Sequence, residues 1–291
     1  MLSPPKSVLI TGCSTGIGRC VAEGLQARGY RVFATARRAE SVDELNAAGL
    51  ESLLLDLNDS VSINSAVDEI LRRSGGELYA VFNNGGFGLT GAVEDLSREA
   101  LRAQFETNVF GWQELTNRLI PVMRAQANGR GDGRIIQNSS ILGFVAMPFR
   151  GAYNASKFAV EGLSDTLRLE LRDTGIHVSL IEPGPIVSHF RENALRALER
   201  YIDIEASVHR DKYQAVLGRL KKQGPAVPFT LPPEAVLKCV LHALQSRRPK
   251  SRYRVTVPTK VFAVLKRLLP TRALDSLLVR AGRDTKRRLS R

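Results

Sequence analysis

Tyr153 and Lys157 stand four residues apart, a spacing that puts a phenol and an ammonium on one face of a helix. A free phenol titrates near pH ~10, and a positive charge close to it favours the phenolate and lowers its pKa. We therefore expect Tyr153 to act as a proton donor and acceptor. The pair is weak evidence alone, because Tyr and Lys at this spacing are common on solvated helix faces.

Two further segments add chemistry to this pair. Ser140 stands thirteen residues before Tyr153, at the end of an apolar run. Near the N-terminus, the segment 11–18 reads TGCSTGIG. Its first glycine permits a tight turn, the second lets the backbone approach a diphosphate, and the third allows close packing of helix on strand. The amides at the start of the following helix would then bind the phosphates.

The same segment contains a competing motif. Residues 12–16 also read as G-x-S-x-G, the nucleophile elbow of hydrolases, with Ser14 as the nucleophile. Such an elbow needs earlier strands to complete its oxyanion hole, whereas Ser14 follows the first strand of the chain. The context therefore favours a dinucleotide-binding loop over a hydrolase, although the spacing is not the general G-x-G-x-x-G pattern.

Taken together, these motifs resemble the short-chain dehydrogenase/reductase family. The likeness extends to NNGG at 83–86, NVFG at 108–111 and PG at 183–184, all in the family's order, and covers roughly residues 6–185. Gly85 stands where the family usually has Ala. Within the family, the sequences of segments 9–14 and 178–182 are similar to those of one branch. This branch contains 17-beta-hydroxysteroid and retinol dehydrogenases and bacterial NADP-dependent aldehyde reductases.

This resemblance implies a catalytic set of Asn108, Ser140, Tyr153 and Lys157. Tyr153 would protonate the substrate oxygen while NADPH delivers hydride, Ser140 would hold that oxygen, and Lys157 would lower the phenol pKa and bind the nicotinamide ribose. Asn108 would position a water that links Lys157 to solvent. The implied cofactor-binding residues are Gly12, Ser14, Thr15, Gly16, Ile17, Gly18, Arg37, Asp56, Leu57, Asn83, Gly85, Tyr153, Lys157, Pro183, Gly184 and Ile186.

The choice of cofactor is indicated at the end of the second predicted strand. An acidic residue there selects NAD through the adenosine ribose, whereas arginine pairs with the 2′-phosphate of NADP. The chain has Arg37 at this point, and the resemblance adds Thr15 as a small hydroxyl partner, with Arg38 as a flanking residue. Asp56 resembles the family's adenine contact, but it could also cap the helix predicted near residue 60. We therefore predict NADP(H).

Short β-branched runs alternate with helical patterns along the chain. They predict strands over 7–11, 31–35, 52–55, 80–82, 134–138 and 177–181, and helices over 18–28, 60–72, 98–127 and 152–173. Such alternation is typical of a Rossmann-type α/β fold, a doubly wound parallel sheet with helices on both faces and a ligand crevice at the carboxyl ends of the strands. We predict one catalytic domain over 1–258 and a helical tail over 259–291.

Composition argues against several other classes. The chain has 291 residues, 43% of them hydrophobic, enough for one large domain. Three scattered cysteines suggest neither a disulfide framework nor a zinc site, and the four histidines have no metal spacing. We expect no metal, a reducing compartment and a soluble cytoplasmic protein without a signal peptide or a membrane span. Trp112 is interpreted as packing, and Glu161, Asp165 and Glu170 as solvated helix positions.

The substrate is indicated by apolar side chains after the catalytic residues. The long segment 184–230, interpreted as a lid-like loop, carries Ile186, Phe190, Tyr201, Ile202 and Tyr213, and residues 142–149 add Leu142, Phe144, Met147 and Phe149. We predict substrate contacts from Ser140, Leu142, Tyr153 and Phe190. The pattern favours a bulky or long-chain apolar aldehyde, ketone or alcohol, although core packing would explain the same residues.

The C-terminal tail holds the charge excess. Residues 247–291 contain fifteen Lys and Arg against two Asp, a net +13 that equals the net charge of the whole chain. The apolar residues of 259–291 recur at helical spacing opposite these cations, a pattern of helices that lie on anionic membranes, but also of helices docked on a domain. Nucleic acid is disfavoured because nothing resembles a groove-reading helix.

Two functions from different classes remain open. One is an oxidoreductase, and the other is a non-catalytic NADPH-binding sensor or anchoring protein. The complete catalytic set favours the enzyme, since a sensor needs only the phosphate loop. The resemblance also implies a homodimer or homotetramer formed through the helices predicted over 98–127 and 152–173.

Overall fold

The computed structural model describes residues 5–126, 132–222, 224 and 227–282. In this part of the chain seven parallel strands form one sheet in the order β3-β2-β1-β4-β5-β6-β7. The strands are β1 Ser7–Ile10, β2 Arg31–Ala36, β3 Glu51–Leu54, β4 Ala80–Asn83, β5 Gly133–Asn138, β6 Ile176–Glu182 and β7 Arg252–Arg254. All six predicted strands are present, and β7 was not predicted. The strand order reverses between β1 and β4, which places the ligand crevice at their carboxyl ends.

Helices cover both faces of the sheet. They are α1 Gly16–Gln26, α2 Ala39–Ala47, α3 Ser60–Ser74, α4 Arg98–Phe105, α5 Gly111–Ala125, α6 Gly151–Glu170, α7 Phe190–Tyr201, α8 Arg210–Lys221, α9 Glu234–Gln245, α10 Val257–Leu268 and α11 Thr271–Gly282. Alternate residues of β1 point to opposite cores: Val8 and Ile10 pack with α1, α2 and α9, whereas Leu9 packs with α3, α5 and α6. Both faces of the central strands β1 and β4 are buried, and most of their residues are accordingly apolar.

The single helix predicted over 98–127 is interrupted. α4 ends at Phe105, a π-helical turn spans Glu106–Phe110, and α5 begins at Gly111. The interruption has a tertiary cause, because Asn108 bonds to the backbone of Phe87 and because a Cβ at Gly111 would lie 2.0 Å from the Leu57 carbonyl oxygen. Inserted π turns of this kind are frequent at functional sites. Residue 127, the predicted end, lies outside the described residues.

The segment 184–230 is not the open loop that was predicted, since it contains α7 and α8. These helices form a small core of their own in which Ile202 and Tyr213 are buried. The Tyr213 hydroxyl donates to Asp95 at 2.6 Å and accepts from the Ala92 amide at 2.8 Å. Core packing is therefore the correct interpretation for these two side chains.

The tail is helical through α10 and α11, as predicted, and one face of it packs on the domain. Phe262, Leu274 and Leu278 lie against Leu142 and Met147. The opposite face of α10 leaves an apolar stripe exposed, formed by Val257, Val261, Val264 and Leu268. No helix in the described residues is long and apolar enough to cross a membrane. The predicted remainder of the tail, 283–291, lies outside those residues.

Candidate active site

The glycine loop between β1 and α1 has the shape that its sequence requires. Gly12 and Gly16 adopt φ values of +71° and +60°, a region that favours glycine. A Cβ on Gly12 would lie 2.6 Å from the Gly85 Cα, and one on Gly18 would lie 2.2 Å from the Gly12 carbonyl oxygen. The loop therefore brings β1, β4 and the start of α1 together without side chains between them.

The start of α1 is free to bind an anion. Thr15 is the N-cap residue, but its side chain makes no capping hydrogen bond, and it is exposed in the cleft. The first amides of α1 carry the positive end of the helix dipole. Ser14, Gly16 and Ile17 line the same part of the cleft. This open, amide-lined cradle fits a dinucleotide diphosphate.

The predicted adenosine end lies beyond β2 and β3. Arg37 follows the last residue of β2, is exposed, and lines the cleft with Asp56 and Leu57. The Asp56 carboxylate accepts the Asn58 amide at 3.0 Å, whereas α3 is capped by Asp59, whose carboxylate accepts from Val61. The alternative interpretation of Asp56 as the helix cap is therefore wrong.

Asparagines connect the glycine loop to the catalytic region. The Asn84 amide donates to the carbonyls of Thr11 and Gly12 at 2.9 and 3.2 Å, and it accepts from Asn138 at 2.9 Å. Asn83 was predicted to bind the cofactor, but its amide donates to Thr116 at 3.0 Å and it does not line the cleft. Asn84 lines the cleft instead, because β4 ends at Asn83 and the next residue stands beyond the strand's carboxyl end.

Ser140, Tyr153 and Lys157 meet in the cleft as predicted. Ser140 follows β5, and its hydroxyl accepts the Leu142 amide at 3.1 Å. Tyr153 and Lys157 lie in the first two turns of α6, and the Lys157 ammonium donates to the Asn138 carbonyl at 2.7 Å. The lysine is thereby tied to the same asparagines that hold the glycine loop.

The ionisation of Tyr153 differs from the prediction. Burial raises its pKa to about 12, and the Ser140 hydroxyl and the charge of Arg150 offset only part of this rise. Burial also lowers the pKa of Lys157 to about 7, partly opposed by Glu161. The prediction that Lys157 pulls the phenol pKa toward neutrality is wrong for the protein alone, since desolvation dominates. Tyr153 therefore holds its proton at neutral pH, the form that a proton donor needs.

Asn108 and Trp112 both contact the start of α6. Asn108 is fully buried in the π-helical turn; its amide donates to the Phe87 carbonyl at 2.9 Å and to the Ser156 hydroxyl at 3.2 Å. Trp112 packs in the core, as predicted, but its ring also lies 4.3 Å from the Lys157 ammonium. This cation–π contact favours the charged lysine. No sequence pattern predicted this contact.

Two acidic residues behind Lys157 are not solvated, which corrects the prediction. Glu161 is buried and Asp165 is half-buried, and both accept hydrogen bonds from Arg252, at 3.1 and 2.6 Å. Arg252 also pairs with the buried Glu182 at 3.1 Å. Burial, with the neighbouring charge of Glu161, raises the pKa of Glu182 to about 7. Glu170 is exposed, as predicted.

The predicted substrate residues lie at the other end of the cleft, whose volume is about 2000 Å³. The Phe190 ring stands edge-on to Tyr153 with centroids 5.3 Å apart, and a Cβ on Gly88 would lie 2.4 Å from that ring. Leu142 and Met147 line the same region. Of the remaining predicted cofactor residues, Pro183, Gly184 and Ile186 line the cleft after β6, and Gly85 lines it beside β4.

Comparison with known proteins agrees with this geometry. The family model described as short chain dehydrogenase matches residues 6–199. The uncharacterized oxidoreductase YbbO of Escherichia coli (strain K12) is 44% identical over 273 residues, with 94% of each chain covered. The NADPH-dependent 3-dehydrocapnine reductase of Ornithobacterium rhinotracheale is 33% identical, covering 92% of this chain and 94% of that one.

Relatives also include the branch expected from the sequence. Human 17-beta-hydroxysteroid dehydrogenase type 1 is 33% identical, covering 86% of this chain and 77% of the relative. A short-chain dehydrogenase of Streptomyces avermitilis, known from a crystal structure, superimposes with a TM-score of 0.73 at 30% identity, covering 91% of this chain and 94% of that one. The chain thus belongs to the short-chain dehydrogenase/reductase family of oxidoreductases.

Proposed function

We propose that this oxidoreductase uses NADP(H) to interconvert a bulky or long-chain apolar aldehyde or ketone and its alcohol. The observation that carries the proposal is the meeting of Ser140, Tyr153 and Lys157 in a cleft that begins at an amide-lined cradle. A sensor or anchoring protein would need the cradle, but it would have no use for a buried phenol beside a buried ammonium.

The residues of this site divide the chemistry among them. When bound, NADP(H) supplies or accepts the hydride. Tyr153 protonates the carbonyl oxygen, and its pKa of about 12 keeps that proton available at neutral pH. Ser140 donates a hydrogen bond to the same oxygen. Lys157, held by the Asn138 carbonyl and the face of Trp112, binds the nicotinamide ribose and supplies positive charge as the phenolate develops.

The preference for NADP(H) rests on Arg37. Its guanidinium is exposed in the cleft directly after β2, where a 2′-phosphate on the adenosine ribose is recognised in folds of this kind. No carboxylate of the described residues forms an ion pair with it. One relative is named as an NADPH-dependent reductase, which supports the same choice.

The apolar substrate class rests on the walls around Tyr153. Leu142, Met147, Phe262 and Leu278 form one apolar cluster with the tyrosine, and Phe190 stands across its ring. Relatives named as reductases of 3-dehydrocapnine and as a 17-beta-hydroxysteroid dehydrogenase favour extended or bulky substrates over sugars. The test is a screen of long-chain aldehydes and ketones for NADPH oxidation. Turnover of sugars or short hydroxy acids, with none of the apolar carbonyls, would refute this class.

We also propose a peripheral membrane contact through α10. Its exposed stripe, Val257, Val261, Val264 and Leu268, is bordered by Lys260 and Arg267, a combination that suits an anionic lipid surface. The opposite face of the helix packs on the domain, so the contact would involve only the outer face. The proposed location is therefore cytoplasmic and peripheral at a membrane.

We also propose that the chain assembles as a homodimer or homotetramer. Phe110, before α5, and Phe158 and Leu163, on α6, expose between 42% and 52% of their surface. A second copy of the chain would bury these side chains against the same elements. Light scattering coupled to size exclusion should give two or four chains per particle, and a monomer at micromolar concentration would refute this.

A further inference from the structure

Arg150 is a guanidinium in the substrate region that the proposed mechanism does not use. It stands directly before α6, three residues ahead of Tyr153, is partly buried and lines the cleft. Its one side-chain hydrogen bond among the described residues goes to the Met147 thioether at 3.5 Å, a weak acceptor. No carboxylate in that part of the chain lies within ion-pair distance of it. Partly buried guanidinium groups are normally paired with an anion.

The backbone that places Arg150 is strained. Phe149 adopts φ +60°, the left-handed region that is unfavourable for a bulky side chain. It is held there by the Gly91 amide, which donates to the Phe149 carbonyl at 2.9 Å, and by the ring of Tyr213 edge-on at 5.2 Å. Strain of this kind persists where the surrounding structure enforces it, often at ligand-binding sites.

The charge of one other cation, Arg219, acts on Arg150. The charge of Arg219 on α8, after the larger effect of burial, lowers the pKa of Arg150 to about 10. Arg196, Arg200 and Arg280 also line the cleft, at exposed positions. The repulsion between the charges of Arg150 and Arg219 would be relieved by a bound anion.

Few carboxylates line the cleft. Three line the cleft among the described residues: Glu23, Asp56 and Glu192. Glu23 pairs with Arg19 in α1, Asp56 lies at the predicted adenosine end, and Glu192 bonds with His189 at 2.8 Å. The substrate end of the cleft is therefore apolar next to Tyr153 and carries the positive charge of Arg150.

We propose that Arg150 binds an acidic group of the substrate, carried a few bonds from the carbonyl, so that the preferred substrate is an anionic amphiphile. A carboxylate, sulfonate or phosphate would accept the paired N–H groups of the guanidinium, and the apolar chain would lie on the cluster of Leu142, Met147 and Leu278. Residues three apart at a helix start share one face, so Arg150 and Tyr153 can bind the acidic group and the carbonyl of one substrate molecule at the same time. This inference rests on the proposed function, since it names the substrate of the same site.

Two carbonyl substrates of equal length but different charge test the inference. The wild-type protein should reduce 4-oxododecanoate with a kcat/KM on the order of 10–100-fold above that of its methyl ester, because the neutral ester leaves Arg150 without an anion. In Arg150→Met this preference should disappear through a higher KM for the acid alone, whereas any change in kcat should be shared by acid and ester, because the charge of Arg150 also lowers the pKa of Tyr153. Arg150→Lys, which keeps the charge but not the paired donors, should retain part of the preference. Arg248→Met, at an exposed position after α9, is the matched control.

Two results would overturn the proposal. One is an equal loss for acid and ester in Arg150→Met, mainly in kcat and with a shifted pH profile, which would mean that Arg150 only adjusts the ionisation of Tyr153. The other is a wild type that does not prefer the acid. Unchanged NADPH affinity and melting temperature show that the variants fold; if Arg150→Met fails this check, the comparison is made with Arg150→Lys and Arg150→Gln.

Equilibrium binding separates this inference from the proposed reaction. Calorimetric titration of 1-octanesulfonate and of 1-octanol into the wild type should show tighter binding of the sulfonate, and Arg150→Met should bind the two with similar affinity. If neither oxo compound is reduced but the sulfonate preference depends on Arg150, the proposed reaction fails and the anion site stands. Equal affinity of the wild type for both ligands refutes the anion site itself.

Discussion

Removing the guanidinium of Arg37 should weaken binding of NADPH but not of NADH. A hydrogen bond to a charged group contributes ~1.5–3 kcal/mol, and each ~1.4 kcal/mol changes a dissociation constant tenfold. Arg37 is exposed, so solvent and salt screen its interaction and the lower part of that range applies. We therefore expect Arg37→Ala to raise the Kd for NADPH by about 10–30-fold and that for NADH by less than about 2-fold.

The neighbouring arginine provides a matched control for this change. Arg38 is the N-cap residue of α2, its side chain makes no capping hydrogen bond, and it is exposed like Arg37. Fluorescence titration of NADPH and NADH into the wild type, Arg37→Ala and Arg38→Ala gives three pairs of Kd values at low salt and three at high salt. The effect of Arg37→Ala should shrink as salt rises. Equal losses for both cofactors, or a larger NADPH loss in Arg38→Ala, would refute the 2′-phosphate role of Arg37.

Three other perturbations test the site and the tail. Tyr153→Phe should lower kcat by roughly 10²–10⁴-fold with an unchanged NADPH Kd, because one proton donor is lost; near-normal kcat would exclude Tyr153 as the acid. Lys157→Met removes an ammonium whose pKa burial lowers to about 7. Below pH 7 the folded wild type is destabilised by the buried charge, and this destabilisation decreases as the pH rises and Lys157 becomes neutral. The variant has no such charge, so its melting temperature relative to the wild type should be higher at pH 6 than at pH 9. The reverse order would contradict this. Val261→Asp with Val264→Asp should weaken co-sedimentation with phosphatidylglycerol vesicles by about 100-fold, at ~1.5 kcal/mol for each buried valine, whereas the control Val61→Asp, at a more exposed valine outside α10, should not. Salt-independent binding, or equal losses in both variants, would exclude the α10 stripe as the contact.

Local pattern was enough to predict the frame of the site. The strands are short apolar runs, and their alternation with helices fixes a parallel sheet whose carboxyl ends bear Gly12, Ser140 and the segment after β4. β7 was not predicted because it has only three residues, two of them arginines. It forms a strand through its pairing with β6. The interruption before α5 was not predicted because its causes, the Leu57 and Phe87 backbones, are distant in the chain.

Electrostatics within the site could not be predicted from spacing. Tyr153 and Lys157 are one helical turn apart, but the sign of the phenol's pKa shift is decided by burial, which outweighs the Ser140 hydroxyl and the charge of Arg150. Glu161 has the spacing of a solvated residue. Its carboxylate nevertheless accepts a hydrogen bond from Arg252 of β7, ninety-one positions later in the chain. Charges that depend on long-range contacts carry no local signature.

One face of α10 lies against the proposed substrate region, and the other is the proposed membrane contact. Phe262 faces the cluster around Tyr153, while Val261 and Val264 are exposed on the same helix. A helix with its side chains is about 10 Å across, so a lipid surface bound to the outer face would lie one helix away from the substrate wall. An anionic amphiphile is a molecule that partitions into such a surface through its apolar chain. Together, the proposed anion site and the proposed lipid contact of α10 predict that the protein takes its substrate from a lipid surface.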